Sequence, residues 1–381
     1  MSIYGAEQRV YLAALASPCR TLAPEAADFF FVPVFSSIPV HAGLYQEEGA
    51  VANLTAGHDL LELARAALLA ASPAYRADPS RHVFTVSHDI GSCLAPLSLL
   101  GSVFLQHFGN ALGNREVLLY LENATDPRLL ARARAAPCFD AAKDIVIPPF
   151  IGERDSFAVD EVAGLRHGGA GNFDRRADHA VYFRGSVHQH PSYSSGVRQA
   201  LCSSLSSSLP NSSLSCSLLP SVSAYWRELS AAAYCPSPGG WVGWSPRTYQ
   251  AIAAGCAPVL FLGEGERLPF RDVVDWAEFA VLLPAGPANG TARDVTAELR
   301  AVLDAETGED LARRRKAMAG AWRSFTYGRD PRRTGMREAH RLVALVEYEG
   351  GGAGRRTTAV VESGGRGGAF ELVLEELGRR L

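Results

Sequence analysis

Residues 232–262 read AAYCPSPGGWVGWSPRTYQAIAAGCAPVLFL. Ala232–Cys235 is a short apolar strand. Pro236–Trp244 is too rich in glycine and proline to continue it, so the chain turns there. Ser245–Gly255 reads as a helix. Pro258–Leu262 is an unbroken apolar run of the kind found in buried parallel strands. Strand, glycine loop, helix and buried strand in succession is the repeating unit of an open α/β sheet.

The same rhythm runs through the amino-terminal side. Phe29–Val34 is an apolar run containing Pro33, His82–Val86 is a second strand and Val117–Leu121 a third, and Ile145–Ile147 ends at Pro148 and Pro149. Between the first two, Asp59–Ala71 spaces Leu60, Leu61, Leu63, Ala64, Ala67 and Leu68 as a helix, with Asp59 set to charge its first turn. Gly164–Arg176 is polar and glycine-rich and reads as a linker. Beyond it come the strand Ala180–Phe183, a helix over Tyr193–Leu201 and a Ser/Leu-rich surface insert, Ser203–Ser223. Phe279–Leu283 is a further strand, and helices are expected over Ala292–Asp304, Asp310–Phe325 and Arg333–Glu347. Gly350–Gly368 reads as disordered, before an amphipathic stretch at Phe370–Leu377. The expected fold is α/β: two Rossmann-like domains, residues 1–165 and 177–349, facing across a cleft, then a flexible tail, 350–381. Ligands of such sheets bind beyond the carboxyl ends of the strands.

Composition narrows the function. Hydrophobic residues make up 47% of the 381, and the net charge is -3, so no basic field exists to hold nucleic acid. No apolar run approaches the roughly 20 residues that span a bilayer, and Met1–Gly5 does not open a signal peptide. Any membrane attachment is expected through an anchor absent from this chain. Four sequons, at Asn53, Asn123, Asn211 and Asn289, favour a lumenal setting. Seven cysteines without a C-x-x-C pair argue against a metal site and allow up to three disulfides with one free thiol, the pairing left open.

Other blocks accompany the opening stretch: Tyr4–Glu7, Ala27–Pro33, His82–Phe84 with Ser87-His88-Asp89-x-Gly91, Lys143–Pro149, Tyr182-Phe183-Arg184-Gly185, and Leu268-Pro269-Phe270 with Asp275-Trp276. In this order, over residues 4–276, they resemble the exostosin-type glycosyltransferase family. The resemblance implies a GT-B fold, inverting transfer from a UDP-sugar to a polysaccharide or glycoprotein glycan, a Golgi location, and pairing with another family member or itself. A non-catalytic partner subunit or carbohydrate-binding protein of the same family is the alternative. A dehydrogenase is set aside, because no Gly-x-Gly-x-x-Gly follows the first strand.

No Asp-x-Asp is present to hold a divalent ion on a diphosphate, so no metal is expected. The free N–H groups at the helix start near Ser245 suit a diphosphate instead. Gly239 and Gly240 let the backbone approach, Arg247 can pair with a phosphate in bidentate fashion, and Arg184 can reach the same leaving group. Gln250 stands where the family usually has a Glu for the ribose hydroxyls; it keeps an acceptor but loses the charge. Either His88 or Asp89, just past a strand end, can serve as general base. Trp241 and Trp244 flank the donor loop, to stack on a ligand or to pack. His188-Gln189-His190 lacks a third metal ligand and reads as a solvated or acceptor-side loop. Arg313–Lys316 reads as a solvated helix face, and Asp275-Trp276 as a fold element.

Overall fold

The computed structural model describes residues 3–42, 53–122, 126–151, 179–188, 190, 193–204, 212–216, 221–285, 294–327 and 368–380. Its strands form two wholly parallel sheets. In the first, β1 (Phe30–Val32), β2 (His82–Val86), β3 (Val103–Gln106) and β4 (Ile145–Val146) lie in chain order. In the second, β5 (His179–Arg184), β6 (Ser212–Ser215), β7 (Ala232–Ser237), β8 (Ala257–Leu262) and β9 (Val281–Pro284) are arranged β6-β5-β7-β8-β9. Strands β2, β3 and β7 are buried along their whole lengths, which is why two of them read as continuous apolar runs.

The helix Pro246–Ala254 follows its local code. Ser245 caps it by accepting from the Arg247 N–H at 3.4 Å, proline occupies the first turn, and Gly255 ends it at φ 74°. Its buried face, with Tyr249, Ala251 and Ile252, packs on the second sheet.

Several expectations are corrected. Val117–Leu121 is not a strand but part of the helix Arg115–Leu121, with Val117 and Leu121 buried one turn apart. The third strand is Val103–Gln106. The first long helix starts at Leu54, where the Asn53 side chain accepts from the Ala56 N–H. Asp59 lies inside that helix and pairs with Arg128 at 3.0 Å rather than charging its first turn. The Ser-rich insert contains β6, which pairs with β5 from Val181↔Ser212 to Arg184↔Ser215; an edge strand is held by backbone bonds, and serines do not prevent them. The charge run is not simply solvated. Arg314 bonds Glu306 at 2.7 Å and the carbonyls of Ala277 and Ala280, while buried Arg315 donates to the carbonyls of Gly255 and Ala232. Trp276 is buried, with its Nε1–H on the Pro269 carbonyl, and Asp275 caps the turn Trp276–Glu278, as a fold element should. The linker 164–176, the helix expected at 333–347 and the stretch 350–367 lie outside the described residues.

The two halves are stitched together. Ala111 N–H donates to the Gly265 carbonyl and Arg267 N–H to the Gly109 carbonyl, both at 2.9 Å. Gly109 is required there, because a Cβ would stand 2.6 Å from the Arg267 carbonyl oxygen. Tyr327 donates its hydroxyl to the Pro148 carbonyl. The closing stretch forms the helix Ala369–Gly378, which buries Phe370, Val373 and Leu377 against Val10, Val83 and Leu105 of the first half. That end of the expected tail is thus part of the first core. Among the described residues, no helix is long and apolar enough to cross a membrane.

Six cysteines form the disulfides Cys93–Cys138, Cys202–Cys216 and Cys235–Cys256, and Cys19 is exposed and unpaired. Alkylation of the unreduced protein should therefore label Cys19 alone, read by peptide mass spectrometry. Labelling at Cys235 or Cys256 would contradict this pairing.

Candidate functional site

The strand order β6-β5-β7 places a topological switch point between β5 and β7, where successive connections leave in opposite directions. Open α/β sheets bind ligands just beyond the strand ends at such a point. The side chain of Arg247 lies there. Its Nη2 donates to the Arg184 carbonyl, and its guanidinium covers the Phe183 ring at 4.7 Å. Gly185 makes this possible, since a Cβ would stand 2.7 Å from Nη2. Nε and Nη1 of Arg247 are buried and have no partner among the described residues. Unmet donors on a buried cation are costly, and an anion is the natural way to satisfy them.

A second cation, missed in the sequence, stands beside it. Arg198 donates to the Ser186 carbonyl at 3.1 Å, the Tyr193 hydroxyl at 2.9 Å and the Pro238 carbonyl at 3.2 Å, while its Nε is unpartnered among the described residues. Burial, and then the charge of Arg247, push its pKa down to about 10. Arg198 thus ties the loop after β5 to the loop after β7. In the latter, Gly239 is obligatory, because a Cβ would stand 2.6 Å from the Val242 carbonyl oxygen. Gly240 would meet only Tyr193, at 3.8 Å, and Arg198, at 4.0 Å.

Two expected donor residues turn elsewhere. The Arg184 guanidinium pairs with Glu228 at 3.2 Å, so only its carbonyl meets Arg247. Gln250 accepts the Tyr225 hydroxyl at 2.9 Å. Both therefore engage the helix Val222–Ser230, while Arg247, Ser245, Gly185 and Gly239 gather at the switch point.

In the first half, Ser87, His88 and Asp89 follow β2. Buried Glu7 braces this turn by accepting from Ser36, Ser37 and the Ser87 N–H, and burial pushes its pKa up to about 7. Arg132 holds the continuation from below, donating to the carbonyls of Ser92, Ala95, Ala136 and Pro137. His88 Nδ1 accepts from the Ile90 N–H at 3.3 Å, so in the neutral ring the proton sits on Nε2. Burial, with the neighbouring His41 and His107, pushes its pKa down to about 3. His88 is therefore a neutral donor and a poor base. Asp89 accepts the Tyr4 hydroxyl on Oδ1 at 3.1 Å, and burial outweighs that bond to push its pKa up to about 6. Of the two candidates left open by the sequence, Asp89 has the chemistry of a base near neutral pH.

The tryptophans of the glycine loop reach across to the first half. Trp244 packs on His107 with centroids 4.7 Å apart and meets Tyr4 edge-on, and Trp241 sits against Tyr120 at 5.9 Å. His188 and His190 both lie beside Trp241, at 4.7 and 5.9 Å. Among the described residues no group of His, Cys, Asp and Glu is placed to hold a metal ion.

Parallel sheets joined at such a junction, with a cationic switch point in one and a braced acidic turn in the other, define an α/β protein. Residues 1–290 match the exostosin GT47 domain, and the chain belongs to that family. It is similar to a probable glucuronoxylan glucuronosyltransferase of Arabidopsis thaliana, with 28% identity over 73% of this chain and 55% of the relative. It is also similar to a second probable glucuronoxylan glucuronosyltransferase of the same plant, IRX7, with 26% identity over 73% of this chain and 58% of the relative. The probable beta-1,4-xylosyltransferase IRX10, again from Arabidopsis thaliana, is 26% identical over 83% of this chain and 68% of its own length. The chain thus spans little more than half the length of the two glucuronosyltransferases.

Asp89 gives a direct test of the acidic turn. A carboxyl whose folded pKa is raised stabilises the fold below its unfolded pKa and loses that contribution as pH rises through its folded value. The stability of the wild type relative to Asp89→Asn should fall between about pH 4 and about pH 6 in urea titrations. A constant difference would show that Asp89 titrates normally.

Proposed function

We propose that this chain is a glycosyltransferase of GT-B organisation. It moves a sugar from a UDP-sugar to a hydroxyl of a polysaccharide or glycoprotein glycan, with inversion, without a metal ion, in the Golgi lumen. One observation carries the donor site: the unpartnered Nε and Nη1 of Arg247 at the switch point of the second sheet. Each can donate to a phosphate oxygen of a bound diphosphate. Arg198 and the amino end of the helix Pro246–Ala254 add positive potential around the same loops. The relatives are all named as transferases, divided between glucuronosyl and xylosyl transfer. Three disulfides favour an oxidising compartment.

In this mechanism the acceptor hydroxyl attacks the anomeric carbon of the donor while Asp89 takes its proton. His88, holding its proton on Nε2, donates to and orients the acceptor. The bond from the anomeric carbon to the diphosphate oxygen breaks, and UDP departs with the electron pair onto Arg247 and Arg198. Attack opposite the leaving group inverts the centre. The cations act by being fixed before the charge develops.

The non-catalytic alternative draws on Gln250, whose carbonyl is already taken by Tyr225. Thermal stabilisation separates the readings. UDP should raise the Tm of the wild type, while GDP, CMP and NAD do not, and EDTA should leave the shift intact. At 100 times its Kd a ligand adds about 2.7 kcal/mol, so the shift is readily read. Arg247→Ala should remove most of it while remaining folded by circular dichroism. A folded wild type that responds to no nucleotide would favour the non-catalytic reading.

A further inference from the structure

The acidic turn after β2 is gripped by a residue far from it in sequence. Tyr4, in the short turn Ile3–Gly5, reaches it through two separate bonds. Its hydroxyl donates to Asp89 Oδ1 at 3.1 Å, and its carbonyl accepts the Ser87 hydroxyl at 2.7 Å. The Tyr4 ring stacks on His41, with centroids 4.3 Å and planes 10° apart, and lies 5.7 Å from the His88 ring at 16°. His41 and His88 are themselves 5.5 Å apart, so the three rings pack as one group. An edge contact at 6.4 Å joins Tyr4 to Trp244 of the glycine loop.

A ring packed in this way holds its hydroxyl in one place, and side chains locked by packing are what keep a reacting group in register. Of the two Asp89 oxygens, Oδ1 is taken by Tyr4, and among the described residues no hydrogen bond reaches Oδ2. A phenol donor favours the ionised carboxylate over the acid, so Tyr4 opposes the burial that raises Asp89. The rings around Asp89 keep one charge state near neutral pH. Burial, and then the charge of Asp89, push Tyr120 up to about 12. Burial pushes His88 down to about 3 and His107 down to about 4, and it lowers His41 as well. Glu7, bonded to the Ser87 N–H, is pushed up to about 7 by burial and titrates beside Asp89.

We infer that Tyr4 is the positioning residue of the proposed base: it clamps Oδ1 of Asp89, so that Oδ2 is the atom that takes the acceptor proton. This rests on the reading of Asp89 as the base, and the bonds made and broken are those given above. The clamp acts through the hydroxyl, whereas a purely structural Tyr4 would act through its ring. Tyr4→Phe separates the two, because it keeps the stacked ring and removes the hydroxyl alone. Without the hydroxyl, Asp89 holds its proton to higher pH and its carboxylate loses the bond that orients it.

The test compares the wild type, Tyr4→Phe, Asp89→Asn and the double variant by urea unfolding of the whole chain from about pH 4 to about pH 8. Subtracting the Asp89→Asn curve in each background cancels the titration of Glu7. The Asp89-dependent fall in stability, which ends at about pH 6 in the wild type, should extend about one pH unit higher in Tyr4→Phe. Should Asp89→Asn not fold, ¹³C NMR titration of labelled aspartate in the wild type and Tyr4→Phe reads the same shift. Transfer from UDP-xylose and from UDP-glucuronic acid to a xylo-oligosaccharide, followed by UDP release, gives the second readout. The acid limb of kcat should move up with the folding titration, and kcat above it should drop about threefold or more, with UDP affinity unchanged. An unmoved Asp89 titration in folded Tyr4→Phe would overturn the clamp and leave Asp89 as the base. A shifted titration beside an Asp89→Asn variant of wild-type kcat would overturn the base, and the positioning role with it.

Discussion

Everything proposed for the second half depends on how the Arg247 side chain is held. Phe183 supports the face of the guanidinium, the Arg184 carbonyl takes one nitrogen, and Gly185 leaves the space that a side chain would fill. The group is fixed before any ligand arrives, with two donors left over. Fixing a desolvated cation is costly for the fold, and such costs concentrate where a ligand offsets them. The parallel order β6-β5-β7 determines where this happens, since it opens the sheet beyond β5 and β7.

The first half solves a different problem. It holds a carboxylate near a strand end, where burial raises its pKa. Glu7 and Arg132 hold the turn from two sides through serine and carbonyl groups, and Tyr4 fixes one oxygen of Asp89. The same enclosure that raises Asp89 disables His88 as a base, because the Ile90 N–H takes its free nitrogen. Backbone bonds between residues 109–111 and 265–267, with Trp241 and Trp244 packed across, hold the acidic turn and the cationic switch point in one frame.

Much of this was legible in the sequence wherever a strand is a continuous apolar run. Phe30–Val32, His82–Val86 and Pro258–Leu262 read as apolar runs and are strands. Val103–Gln106 is as buried but too short to stand out, and Val117–Leu121 has the apolar density of a strand with the one-sided burial of a helix. Strand β6 was hidden because its place is set by backbone pairing with β5, which leaves little trace in side-chain pattern. For the candidate site, the motifs pointed to Arg247, His88, Asp89 and the glycine loop; Arg247 and that loop lie beyond β5 and β7, and His88 and Asp89 follow β2. Arg198 lies in another element and meets these residues only through tertiary folding. Likewise, nothing in the sequence tells that Arg184 turns to Glu228 and Gln250 to Tyr225.

Whether Arg247 holds the donor is decided by a crystal structure with UDP bound. Diphosphate oxygens are expected within hydrogen-bond distance of Arg247 Nε and Nη1, at the ends of β5 and β7. UDP bound elsewhere, or Arg247 turned away onto a carboxylate, would contradict that assignment.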